Sequence, residues 1–170
     1  LLNLNRKGGI ILLIYICVCS KSTDGRKIVK KRLPFIIAAL LATFWIFSNS
    51  MQTADLSSVS SGRFVSVLSM IMSKFGHASN KDILEVIVRK TAHVAEFTLQ
   101  GILVAACFGM PYRRRIIYIL FFGLLTACCD EYIQYFTPGR GSLLQDVFID
   151  FGGTVIGTVI MGISYKFKRR

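Results

Sequence analysis

Residues 113–140 read RRRIIYILFFGLLTACCDEYIQYFTPGR. Three arginines open the stretch, an apolar run follows from Ile116, and Asp130, Glu131 and Gln134 appear before the turn Thr137-Pro138-Gly139-Arg140. About 20 consecutive apolar residues are what an α-helix needs to cross a hydrocarbon core of ~30 Å. The stretch therefore predicts a membrane span over 116–136, with a basic cluster at one end and acids at the other. Pro-Gly is a turn signal, which closes the span and sends the chain back.

Working outward, the same pattern recurs. LPFIIAALLATFWIFS, residues 33–48, follows Lys27, Lys30, Lys31 and Arg32, with Pro34 expected in the first turn and Trp45 near the far end. A second span is expected over 91–110, in a helix running unbroken from about Asn80 and stopped by Pro111. A fourth is expected over 147–165, before the basic tail Lys166, Lys168, Arg169 and Arg170. Between the first two spans, Phe64, Leu68, Ile71 and Phe75 recur at helical spacing, with Ser66, Ser69 and Ser73 on the other side. That pattern predicts an amphipathic helix at the outer surface, ended by Gly76, with Ser79-x-x-Asp82 as a capping box for the next helix. The fold class is all-α: a polytopic four-transmembrane-helix bundle with an outer amphipathic helix, the membrane domain covering 33–165. An N-terminal extension, not native or disordered, is expected over 1–28, because its apolar run 10–19 is too short to span.

The chain has 170 residues, 53% of them apolar, and a net charge of +12. Such a charge in a soluble protein would suggest nucleic acid. Here the basic residues sit in short clusters beside apolar blocks, so no nucleic-acid partner is expected. Cys17, Cys19, Cys107, Cys128 and Cys129 all lie in apolar stretches without zinc-site spacing, and read as small fillers. With both termini in the cytoplasm, every basic cluster satisfies the positive-inside rule. The expected location is the cytoplasmic membrane, as a multi-pass protein.

That orientation places eight of the nine acidic residues on the outer side, Asp24 being the exception. Charges inside a bilayer cost a few kcal/mol each, so they face a bundle interior or a wet cavity. Arg89, His93, Glu96 and Gln100 are spaced as one stripe down the second span. Asp130, Glu131 and Gln134 sit near the outer end of the third, and Asp146 and Asp150 are one turn apart on the fourth. Below them, Gly101-x-x-x-Ala105-x-x-x-Gly109 and Gly153-x-x-x-Gly157 permit close helix contact. Two readings of the polar cluster stay open. Arg89, His93 and Arg140 neutralise the acids and hold the bundle together, or the groups form a site open to the outer leaflet. In the second reading His93, Glu96, Asp130 and Glu131 are candidates for proton transfer. Glu131, Asp146 and Asp150 are candidates for a divalent cation. Arg89, Lys90, His93, Gln134, Arg140, Asp146 and Asp150 are candidates for ligand binding. No cofactor beyond that cation is expected.

The series Arg89-Lys90-x-x-His93-x-x-x-Phe97, Asp130-Glu131-x-x-Gln134-x-Phe136-x-Pro138-Gly139-Arg140 and Asp146-x-x-x-Asp150-x-x-Gly153-x-x-x-Gly157 resembles the VanZ-like family of membrane proteins. Phe97 and Asp150 depart from its usual pattern, which has Tyr and Asn there. The resemblance implies a protein acting at the outer face of the cytoplasmic membrane on the cell envelope. It implies reduced susceptibility to teicoplanin, a lipoglycopeptide that binds cell-wall precursors. Membrane lipids and lipid-linked cell-wall precursors are the partners implied, and oligomers are allowed. The alternatives are an intramembrane enzyme acting on a lipid head group and a small transporter.

Overall fold

The computed structural model describes residues 25–53, 62, 65–67, 69, 70, 81–109 and 115–168, the side chains of 25–30 and 82 excepted. Four long helices follow one another: α1 (Gly25–Ser50), α2 (Lys81–Phe108), α3 (Ile116–Tyr135) and α4 (Leu144–Phe167). Each is long and apolar enough to cross a membrane, as the sequence predicts. Most of the expected surface helix, including Phe64, Leu68, Ile71, Phe75 and Gly76, lies outside the described residues, as do Ser79 and residues 1–24.

Two helix ends differ from expectation. α1 begins at Gly25, so Pro34 lies inside the helix rather than in its first turn. Without an N–H, Pro34 leaves the Lys30 carbonyl without its i+4 donor. At the same end of the bundle α2 stops at Phe108, before Pro111 is reached. Gly109 takes φ +56 there and its N–H bonds the Ala105 carbonyl at 3.2 Å, a left-handed glycine cap. Arg115 returns to the Phe108 carbonyl.

The helices run up and down, and their outward faces are apolar: Leu41, Phe44, Ile117, Phe121 and Phe148 are all more than 60% exposed. In water such a surface would be a liability, whereas lipid solvates it. The buried apolar core is correspondingly small. Ile36, Ala39, Val104, Ala105, Cys107, Phe108 and Ile119 form one cluster, and Ile46, Phe97, Ala127 and Val147 form another. Between core and lipid, the α2–α4 seam is set by glycine. A Cβ on Gly157 would lie 2.2 Å from the Thr98 carbonyl oxygen, and one on Gly153 would lie 2.7 Å from that of Val94. Gly101 answers from α2 against the backbone of Thr154, and Gly123 of α3 accepts the Thr154 side chain. The small-residue spacing read from the sequence is therefore a packing device, and it brings α2, α3 and α4 together beneath the acids.

Candidate functional site

Where α1 and α3 end and α2 and α4 begin, polar side chains replace the apolar core. α3 delivers Asp130, Glu131 and Gln134, spaced to share one face, and all three are buried. α3 then ends in a turn. The Arg140 N–H bonds the Thr137 carbonyl at 3.2 Å, and Gly139 has φ +76. Pro at the second position and a left-handed Gly at the third make this a type II turn, and it returns Arg140 over the bundle end. Glu131 accepts the Leu143 N–H at 3.1 Å and a hydrogen bond from Ser142. It thus holds the backbone where α4 starts, beside the positive end of that helix. Asp146, in the first turn of α4, pairs with Lys90 of α2.

A cavity of about 80 Å³ opens among these groups. It is lined by Arg89, Lys90, His93, Glu131, Gln134, Arg140, Asp146 and Asp150, with Gly139, Gly141 and Ile149. By volume it holds a few waters or one compact polar group. All seven ligand-binding candidates line it. Burial, then the neighbouring Arg89, pushes the Arg140 guanidinium below its usual range, while Asp130, Glu96 and Glu131 pull it back. Arginine nonetheless stays charged in proteins. Its Nε and Nη1 atoms are buried without a hydrogen-bond partner among the described residues, so a cation stands at the cavity with donors to spare.

Two proton-transfer candidates lie elsewhere. Glu96 does not line the cavity: it faces α1, where Asn49 Nδ2 donates to Oε1 at 2.6 Å and Trp45 Nε1 donates to the same oxygen at 3.2 Å. Asp130 is fully buried beside the cavity. Its Oδ1 accepts from Ser50 Oγ at 2.6 Å and its Oδ2 from Gln134 Nε2 at 2.7 Å. Gln100, deeper still, bridges Thr43 of α1 and Thr126 of α3. The stripe on α2 therefore divides by depth. Arg89 and His93 serve the cavity, whereas Glu96 and Gln100 tie helices together.

The carboxylates also group differently from the cation set Glu131, Asp146 and Asp150. Among the described residues, the donor atoms that converge to within 4.8 Å of one another belong to His93, Asp130 and Asp150. Glu131 and Asp146 are already engaged by Leu143 and Lys90. His93 Nδ1 stands 3.9 Å from Asp130 Oδ2, and both it and Asp150 Oδ2 are buried without a hydrogen-bond partner. Phe97 is fully buried in the apolar cluster with Ile46, Ala127 and Val147.

The contribution of α1 is absent from the sequence reading. Trp45, Asn49 and Ser50 orient two of the acids, and the Ser50 carbonyl accepts from Thr137 Oγ1 at 3.0 Å. The signal available was the recurrence of Trp45 and Asn49 one turn apart at the end of an otherwise apolar run.

Neither a curated protein nor a solved structure matches the chain. A family match covers residues 35–165, from the start of the apolar part of α1 to the end of α4. With its four candidate spans and the polar residues they carry, the chain belongs to the VanZ/LLP1 family.

Proposed function

We propose that this cavity receives the anionic head group of an envelope lipid at the outer face of the cytoplasmic membrane, and that its occupation lowers susceptibility to lipoglycopeptides such as teicoplanin. One observation carries the reading: Arg140 is a half-buried cation at a polar cavity, and two of its nitrogens are themselves buried without an acceptor among the described residues. A guanidinium in that state is matched by a phosphate or carboxylate, which accepts two parallel hydrogen bonds. Arg89 and Lys90 line the same cavity and extend the positive field. The outer placement is supported by the basic clusters before α1, between α2 and α3, and after α4. Access from the leaflet suits lipid-linked cell-wall precursors, whose phosphates lie at the membrane surface.

The test compares teicoplanin susceptibility in cells expressing the intact chain, Arg140→Gln, or no protein, with membrane levels matched. Protection by the intact chain and its loss in Arg140→Gln is the expected result. Protection that survives the substitution, or never appears, overturns the reading. Orientation is tested separately by labelling a cysteine placed at Gly141, which an impermeant thiol reagent added to intact cells should reach.

A second reading is an intramembrane enzyme acting on the same head group, and it draws on the convergence of His93, Asp130 and Asp150 at the cavity. An imidazole beside two carboxylates is equipped for proton transfer. If it holds, the envelope lipid profile changes on expression and reverts in His93→Ala. An unchanged profile removes it.

A further inference from the structure

We propose that His93, Asp130 and Asp150 form a binding site for one divalent transition-metal ion of the zinc type. The three residues come from α2, α3 and α4, so the site is a product of the fold rather than of a local motif. One donor atom from each lies within 4.8 Å of the other two. Ligands about 2.0–2.1 Å from a tetrahedral zinc are roughly 3.4 Å apart, so side-chain rotations of about 1 Å close the set. Two of the candidate donors, His93 Nδ1 and Asp150 Oδ2, are buried and have no hydrogen-bond partner. Asp150 is only 2% exposed. A carboxylate oxygen so placed, with no protein donor, calls for a cation or a proton.

The surroundings favour the cation. Asp130, Glu131, Asp146 and Asp150 outnumber Arg89, Lys90 and Arg140 around the cavity. A divalent ion offsets that negative excess, which matters in a segment where unpaired charge is costly. The supporting contacts are also present. Ser50 and Gln134 fix both oxygens of Asp130, the outer-shell orientation that metal-ligating carboxylates require. Three protein ligands leave a fourth position, and His93 and Asp150 line the cavity on that side. An imidazole ligand and so small a donor count suit zinc or a similar ion, whereas Mg²⁺ and Ca²⁺ prefer six or more oxygens.

This inference stands apart from the head-group reading, and it is measured without any lipid ligand. The full chain is purified in detergent, stripped with chelator and dialysed against zinc, with bound metal counted by elemental analysis and the fold monitored by circular dichroism. One zinc per folded chain is expected. The near-isosteric Asp150→Asn should weaken binding at least tenfold, as should His93→Gln. Cobalt in place of zinc should give tetrahedral d–d absorption without a thiolate band. Absence of stoichiometric zinc on the folded chain would overturn the proposal. So would undiminished binding in both Asp150→Asn and His93→Gln, equal competition by Mg²⁺, or a cobalt–thiolate signal locating the metal at the cysteines.

Discussion

Two glycines five residues apart on α4 should respond to the same substitution with opposite sign. A Cβ on Gly157 would stand 2.2 Å from the Thr98 carbonyl oxygen and 2.9 Å from the Ile102 nitrogen, whereas nothing lies within 4 Å of one on Gly152. The obstacle at Gly157 is backbone, so no rotamer change relieves it. To reach ordinary contact, α2 and α4 must part by roughly 1 Å, at which an atom pair forfeits a quarter to a half of its ~0.1–0.2 kcal/mol. Spread over on the order of 30 pairs along the seam, the loss is about 1–3 kcal/mol. Both substitutions gain about 1 kcal/mol of helix propensity, so that gain cancels in the comparison. Gly157→Ala should therefore lie about 1–3 kcal/mol below Gly152→Ala, a factor of about 5–150 in the folding equilibrium. The fluorescence of Trp45, the sole tryptophan, reports unfolding as micelles are titrated with a denaturing detergent. Equal midpoints for the two variants would refute a backbone-contact seam between α2 and α4.

Other substitutions probe the remaining contacts. Gly123→Ala places a Cβ 2.2 Å from Thr154 Cγ2, so it should destabilise alone and be largely rescued in combination with Thr154→Ala. A double-mutant cycle should return about 1 kcal/mol of coupling. Ser50→Ala removes the donor to buried Asp130 Oδ1 and should cost about 1–2 kcal/mol by the same unfolding assay. Gly139→Ala forces a side chain into φ +76, which costs about 1–2 kcal/mol. Because that turn positions Arg140, Gly139→Ala should also reduce teicoplanin protection at matched membrane level.

The spans were legible because each is a run of apolar residues as long as a bilayer is thick, and no soluble arrangement needs four of those. Polar faces on α2, α3 and α4 were legible from spacing alone, since residues three and four apart share a helix face. Partnerships were not. Spacing puts Asp146 and Asp150 together on α4, yet one pairs with Lys90 and the other joins His93 and Asp130. That choice depends on how far each helix is rotated about its axis, which the glycine contacts fix and no local pattern encodes. The start of α1 was missed for a related reason. Lys27 to Arg32 mark a membrane boundary, but a helix does not have to end where its apolar part does.

Depth divides the polar groups of the bundle. Below the cavity most polar side chains find each other: Gln100 meets Thr43 and Thr126, and Glu96 meets Asn49 and Trp45, although Gln100 Oε1 and Thr154 Oγ1 have no partner among the described residues. These groups act as glue, in a bundle whose apolar core is too small to fix helix positions by itself. At the cavity that economy fails. His93 Nδ1, Asp150 Oδ2 and two nitrogens of Arg140 are buried without hydrogen bonds, although donors and acceptors are plentiful nearby. Leaving a buried polar atom unpaired costs about 1–3 kcal/mol, and this cluster does so repeatedly within a few turns. Their common placement at one cavity supports the two proposals, an anionic acceptor for Arg140 on one side and a cation for His93, Asp130 and Asp150 on the other.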